Sequence, residues 1–246
     1  METVMRPRER ISIIIPAFEE ADRIQETLDR IGRMAGIDEA EVVVVDGHPE
    51  KTTLRAIADG SVRGISGPRG RGAQMHAGAL SCSGGILLFL HADTRLPPDG
   101  LLRLRAVLQD PEIDGGAFDL GIDAPGAAYR LIEKGASIRS RLTRIPYGDQ
   151  ALFLRRNAYV QIGGFRPIPL MEDVDLMRRV KKAGKKIRFV RQPVWTSARR
   201  WQQEGILFCT LRNYALIILY SLGISPERLC RYYRRSASSE LRRSRR

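Results

Sequence analysis

Two short acidic segments in this chain combine residue type and spacing in a way that could do chemistry. Leu90-His91-Ala92-Asp93-Thr94 follows an apolar run and stops at Pro97-Pro98. A carboxylate fixed at the end of a buried strand suits a hard cation, Mg2+ or Mn2+, which would also hold a diphosphate and neutralise the charge it gains on leaving. Asp93 also reads as the cap of the following turn or helix. His91 reads either as a second metal ligand or as a hydrogen-bonding residue at a strand end. Met171-Glu172-Asp173-Val174-Asp175-Leu176 opens a helical stretch that runs to Ala183. Acids in a first helical turn are stabilised by the helix dipole whatever else they do. Yet three acids within four residues, in a chain with 41 Lys and Arg against 28 Asp and Glu, would supply a general base for a hydroxyl nucleophile. Asp173 is the central one, with Glu172 beside it, and Pro167 and Pro169 ahead of them predict a positioned loop.

Other segments offer binding groups. Gly67-Pro68-Arg69-Gly70-Arg71-Gly72 leads into a helix that contains Gln74 and His76. Backbone amides at a helix start and guanidinium forks suit a phosphate or diphosphate, although a solvated loop has the same composition. Asp46-Gly47 ends a strand, where an acid can accept hydrogen bonds from a base or ribose or simply shape the turn. Tyr147-Gly148-Asp149-Gln150 precedes another strand and could line an acceptor pocket. Arg199-Arg200-Trp201 offers cations and an aromatic platform, or a plain basic surface. A P-loop with its lysine is absent, as is G-x-G-x-x-G after the first strand, which argues against a kinase and a dinucleotide-dependent dehydrogenase.

The elements that must hold these groups read as an α/β fold. Ile11–Pro16, Glu41–Asp46, Val62–Ser66 and Gly85–Leu90 are strand candidates, with helices predicted over Ala21–Arg33 and Gly72–Ser81. Their apolar runs are continuous rather than alternating, so both faces are covered, as in an open, mostly parallel sheet flanked by helices. Ligands of such sheets bind beyond the carboxyl ends of the strands, which is where Phe18, Glu19, Asp46, Arg69, Arg71, His91 and Asp93 fall. Beyond Leu90 come a helix near Pro98–Gln109, a strand near Gly115–Leu120, a helix over Pro125–Arg141 and a strand at Ala151–Leu154.

At 246 residues and 43% apolar composition the chain can bury a large core. Residues 1–10 form a polar extension that does not read as a signal peptide. Residues 11–200 form the body, residues 201–235 a C-terminal helical segment and residues 236–246 a basic tail. Three widely spaced cysteines favour neither disulfides nor a zinc site, and a reducing, cytoplasmic setting is expected. The net charge of +13 calls for an anionic partner. A basic nucleic-acid-binding protein would explain the charge. Buried strands ending in acids would then be superfluous, and the arginines are not interleaved with exposed aromatics, so no nucleic-acid partner is expected. The stretch Gly205–Gly223 is apolar but interrupted by Arg212 and Asn213. It reads as a core or dimer-packing helix or as an interfacial helix peripheral to the inner face of an anionic membrane, and poorly as a span.

In this order the segments resemble the family 2 glycosyltransferases of the GT-A fold, from about Ser12 to Arg191. The resemblance implies that Pro16, Phe18 and Glu19 of Ile14-Ile15-Pro16-Ala17-Phe18-Glu19-Glu20 contact the nucleotide and that Asp46 holds the base. Arg69, Arg71, Gln74 and Ala92 join them in the nucleotide-sugar site. The metal and diphosphate motif falls on His91-Ala92-Asp93, the catalytic base on Glu172-Asp173, and Asp149, Gln150, Arg200 and Trp201 on the acceptor side. Gly163-Gly164-Phe165 before the Glu-Asp pair and Arg178 after it fit the same pattern. His91 in place of the first acid, and Gly47 in place of a second Asp, are departures from it. Ser197 stands where processive synthases carry a glutamine, which favours single addition. More narrowly, Leu90–Thr94 with Leu96-Pro97, and Gly148-Asp149-Gln150, resemble a bacterial subfamily associated with radical-SAM and selenium-domain proteins. The expected activity is inverting transfer of a sugar from a nucleotide-diphosphate donor to a hydroxyl acceptor, on a lipid if the C-terminal segment is interfacial. A non-catalytic relative that binds sugar nucleotides is the alternative.

Overall fold

A computed structural model describes residues 9–233; the first eight residues and the basic tail lie outside them. The strands are β1 Ile11–Ala17, β2 Ala40–Asp46, β3 Arg63–Ser66, β4 Ile86–Phe89, β5 Thr94–Arg95, β6 Gly115–Asp123, β7 Phe153–Arg155 and β8 Ile187–Ser197. The helices are α1 Ala21–Gly32, α2 Thr52–Arg55, α3 Arg71–Ser81, α4 Gly100–Val107, α5 Ala127–Thr143, α6 Arg156–Gln161, α7 Glu172–Lys182, α8 Arg199–Glu204 and α9 Ile206–Ser221.

All eight strands join one sheet in the order β3-β2-β1-β4-β7-β6-β8-β5. Strands β1 to β4 run parallel, as their unbroken apolar sequences predict. Strand β7 is antiparallel to both neighbours and β5 is antiparallel to β8, while β6 and β8 run parallel. The alternation of a strand sends Ile13, Ile15, Val44 and Leu88 to one face, against Ile24 and Leu28 of α1 and Leu101 and Leu104 of α4. Ile14, Val43, Val45, Leu87 and Phe89 go to the other, against Met75 and Ala79 of α3, Tyr159 of α6, and Leu176 and Met177 of α7. Each such side chain, once buried, stabilises the fold by roughly 1.5–3 kcal/mol. The parallel half therefore has two covered faces and one functional edge, at the carboxyl ends of β1, β2 and β4.

The second half folds back onto that edge. Thr94 of β5 pairs with Thr196 of β8, which brings the start of α8 beside Asp93. The three cysteines are free and buried. Among the described residues no helix is long and apolar enough to cross a membrane.

Candidate active site

A cavity of about 1020 Å³ opens at the carboxyl edge of the sheet, with three walls built from segments distant in sequence. Pro16, Phe18, Glu20, Ala92 and Asp93, with Arg69 to Gln74 at the start of α3, form the first wall. Tyr147, Asp149 and the loop Pro167–Val174 form the second. Arg199, Arg200 and Trp201, together with Cys209, Asn213 and Leu216 of α9, Cys230 and Tyr233, form the third.

Asp173 stands at the start of α7, where Met171 takes the left-handed conformation at φ 68° to turn the chain into the helix. Strain of this kind persists where the surroundings over-determine the backbone, and it is concentrated at functional sites. The carboxylate is held at both oxygens: Gly148 N donates to Oδ2 at 2.6 Å and Val174 N donates to Oδ1 at 2.7 Å. A Cβ placed on Gly148 would come within 2.9 Å of His91 Nε2 and 3.3 Å of Asp173 Oδ2, so any larger residue at this corner must displace one of them. His91 therefore sits beside the Asp173 loop. Burial, and then the positive charges of Arg71 and Arg200, push its imidazole well below the ordinary value. It is neutral near pH 7.

Glu172 is buried and forms an ion pair with Arg71 at 2.6 Å. Burial raises its carboxyl and the Arg71 guanidinium opposes that rise. This pair joins the first residue of α3 to the residue next to Asp173. Gly72 lets the two elements meet, since a Cβ there would lie 2.9 Å from Glu172 Cβ.

Asp149 is pushed up to about 6 by burial and then by the Asp173 charge, with Asp93 adding to the rise. Glu20 is raised by burial and then by Asp93. Carboxylates that raise one another mark a place short of positive charge. Among the described residues no three His, Cys, Asp or Glu side chains converge as a self-contained metal site. The donor set is still one that a hard cation accepts: Mg2+ and Mn2+ take one or two carboxylates and fill the remaining positions with phosphate oxygens and water. Asp93 fits that role.

Three expected contacts are corrected. Asp46 is buried outside the cavity: its Oδ1 accepts from His48 N, and its Oδ2 accepts from Thr53 N and Leu54 N, so the carboxylate caps α2. Gln150 is wholly buried, donating to Phe118 O and accepting from Ser140 Oγ and Tyr147 N, so it fixes the Tyr147–Gln150 turn instead of meeting an acceptor. Glu19 is exposed and does not line the cavity, which Glu20 does. Gln74 reaches the cavity wall, but its amide nitrogen is spent on Ala17 O and Val45 O, tying β1 to β2. Arg69 stacks over the Phe18 ring at 4.7 Å from its centroid. Trp201 lies in the third wall, packed against the cluster of Leu120, Ile122, Tyr129 and Ala198.

The contribution of α9, Cys230 and Tyr233 was not evident from sequence. Only Arg212 and Asn213, polar residues in an apolar run, signal it.

A family described as glycosyl transferase family 2 matches residues 12–170. No curated protein matches the chain. Among solved structures, the mannosyltransferase PcManGT from Pyrobaculum calidifontis, in complex with GDP-Man and Mn2+, is 21% identical at a TM-score of 0.56, covering 78% of this chain and 57% of its own. S. aureus TarS 1-349 is 16% identical at a TM-score of 0.62, covering 85% of this chain and 65% of its own. Its complex with UDP-GlcNAc is 16% identical at 0.61, covering 76% and 58%. The chain thus spans about two thirds or less of the solved proteins it resembles, and these likenesses bear on the fold.

Proposed function

The chain belongs to glycosyl transferase family 2, and from that premise we propose that it moves a sugar from a nucleotide-diphosphate donor to an acceptor hydroxyl with inversion at the anomeric carbon. The observation that carries this reading is Asp173: a carboxylate held by two backbone amides, facing the same cavity as Asp93. Asp173 takes the proton from the acceptor hydroxyl. The oxygen attacks the anomeric carbon, and the bond from that carbon to the diphosphate breaks. A single displacement inverts the configuration. Neutral His91 adds no charge beside the base. Arg69 and Arg71, half exposed at the first wall, meet the anionic donor.

Asp93 is the residue that would hold a divalent cation, with Glu20 and Asp149 shaping the field around it; such a cation, when bound, neutralises charge on the departing diphosphate. Phe18 under Arg69 offers a platform for the base. The acceptor meets Asp149, Arg200 and the α8–α9 wall. A lipid-borne acceptor is the class favoured by the uncharged outer side of that wall. The narrower likeness to the radical-SAM and selenium-domain subfamily rests on Leu90–Thr94 and Gly148–Gln150 and names no substrate.

Thermal shifts with UDP-, GDP- and dTDP-sugars, with and without Mn2+, test the donor reading. Stabilisation by one nucleotide class, dependent on metal and lost in Asp93→Ala, is expected. No shift from any of them would move the protein to a non-catalytic role. A product that retains the donor's anomeric configuration would overturn Asp173 as a base acting in a single displacement.

A further inference from the structure

Helix α9 has two faces with opposite surroundings. Cys209, Asn213, Leu216 and Ile217 line the cavity, whereas Leu207, Leu211, Tyr214, Ile218 and, just past the helix end, Leu222 face water. The exposed set recurs at steps of four, three, four and four residues, which on a helical period forms one stripe. The only charged residue in α9 is Arg212, buried and paired with Glu204. Helix α5, some 70 residues earlier, repeats the pattern: Leu131, Gly135, Ile138 and Leu142 at steps of four, three and four, with the three large side chains exposed.

The two stripes meet. Ile132 and Ala136 of α5 share one apolar cluster with Trp201 and Ile206, and a Cβ on Gly135 would lie 3.9 Å from the Tyr214 hydroxyl. The tyrosine hydroxyl thus lies beside α5 at ordinary contact distance, so the stripes join into one surface. Leu131, Leu142, Leu207 and Leu222 are each between 72 and 79% exposed. Single exposed leucines need no explanation, but a contiguous uncharged surface on two helices does, in a chain of which 28% is charged. Exposed cations accompany it: Lys134 and Arg144 on and just after α5, and Arg228 and Arg231, with Glu227 beside them, in the helical residues 226–233 that follow α9.

We infer that this two-helix surface seats the protein on an anionic lipid bilayer, with α5 and α9 lying in the plane of the interface. Neither helix is long and apolar enough to span, and stripes flanked by cations match the interfacial pattern. A second copy of the chain fits less well. An isologous dimer would press the same exposed cations together between subunits that each carry +13. An anionic bilayer offers the complementary charge and an apolar layer for the leucines. One consequence rests on the proposed transfer reaction: since the inner face of α9 lines the cavity, an acceptor held in the membrane reaches the Asp173 side without leaving it.

Flotation of the full chain with phosphatidylcholine vesicles, with and without phosphatidylglycerol, tests the inference. Wild type is expected to float with the anionic vesicles, weakly with the neutral ones, and less in high salt. Leu131→Gln/Leu142→Gln on α5 and Leu211→Gln/Ile218→Gln on α9 are each expected to weaken binding to anionic vesicles at least about tenfold, with circular dichroism and the donor-induced thermal shift unchanged. Wild-type protein that stays with the soluble fraction, or an α5 pair that floats like wild type, would overturn the inference. So would a wild-type dimer in solution that the α5 pair splits without loss of flotation, which would assign the surface to a second copy. Flotation that holds while no nucleotide-sugar shifts the melting temperature would sink the reaction and leave the docking standing.

Discussion

Asp173 Oδ2 accepts a hydrogen bond from the backbone amide of Gly148 at 2.6 Å, although the two residues are 25 positions apart. The contact fixes the carboxylate before any acceptor arrives, which is the arrangement a general base needs. Asn at this position keeps an oxygen for the Gly148 amide and loses the basicity. Asp173→Asn is therefore expected to lower kcat by about 10²–10⁴ while leaving the donor's thermal shift intact. Steady-state kinetics beside the melting curve would check this; equal loss of both would make Asp173 a structural residue.

The same corner predicts a steric phenotype. Gly148 is not in the left-handed region, so alanine there strains no torsion, but its methyl would meet His91 Nε2 at 2.9 Å and Asp173 Oδ2 at 3.3 Å. A sub-ångström shift of the Asp173 carboxylate would be costly to the proposed transfer and cheap to the fold. Gly148→Ala should lose roughly 10- to 100-fold in kcat with the unfolding midpoint nearly unchanged. His91→Ala in the same chain, by making room, should recover part of that loss.

Arg71 and Glu172 form a pair with unequal exposure, 44% for the arginine side chain and 5% for the glutamate. Removing the guanidinium leaves a buried carboxylate without its partner. Because Arg71 reaches solvent, the cost of Arg71→Ala should be about 1–2 kcal/mol, below that of a fully buried pair. Adding Glu172→Gln removes the stranded charge, so the double variant should be more stable than Arg71→Ala alone. Urea unfolding of the four proteins in a double-mutant cycle measures this coupling, and additive costs would show that the pair carries none.

Much of this arrangement was legible from residue order, for physical reasons that also explain the gaps. Strands β1, β2 and β4 are continuous β-branched or leucine runs, so their type and burial follow from composition. Asp93 stands four residues past the end of β4 and so falls at the mouth of the sheet by position, whereas Asp173 is legible only as an acid in the first turn of a helix. Strand β8 was missed because Arg188, Arg191 and Pro193 break its pattern, and it pairs with β6 across a register shift between Phe118 and Asp119. Asp46, Gln74 and Gln150 have the right chemistry for ligands, but the amides and carbonyls that consume them come from segments up to 57 residues away. The segment after Gly205 reads as a core or dimer-packing helix, an interfacial helix or, poorly, a span; α9 turns one face to the cavity and the other to water, a division that its apolar composition does not announce.

Asp149 gives the last prediction, and it concerns pH. Its carboxyl is raised from 3.8 to about 6 by burial and by Asp173. A folded value above the unfolded one means that the native state binds more protons between about pH 4 and 6, so stability falls as pH rises through that window and the full cost remains above it. Two units correspond to about 3 kcal/mol. In metal-free buffer, Asp149→Asn should therefore melt higher than wild type at pH 7.5, and the gap should close as pH approaches 4. The substitution should also cost activity, because it removes a charge beside Asp173 and Asp93 in the cavity of the proposed reaction. Equal melting temperatures at pH 7.5 would place Asp149 in solvent and remove it from the site; a stabilised variant with full activity would keep it in the cavity and deny it a role.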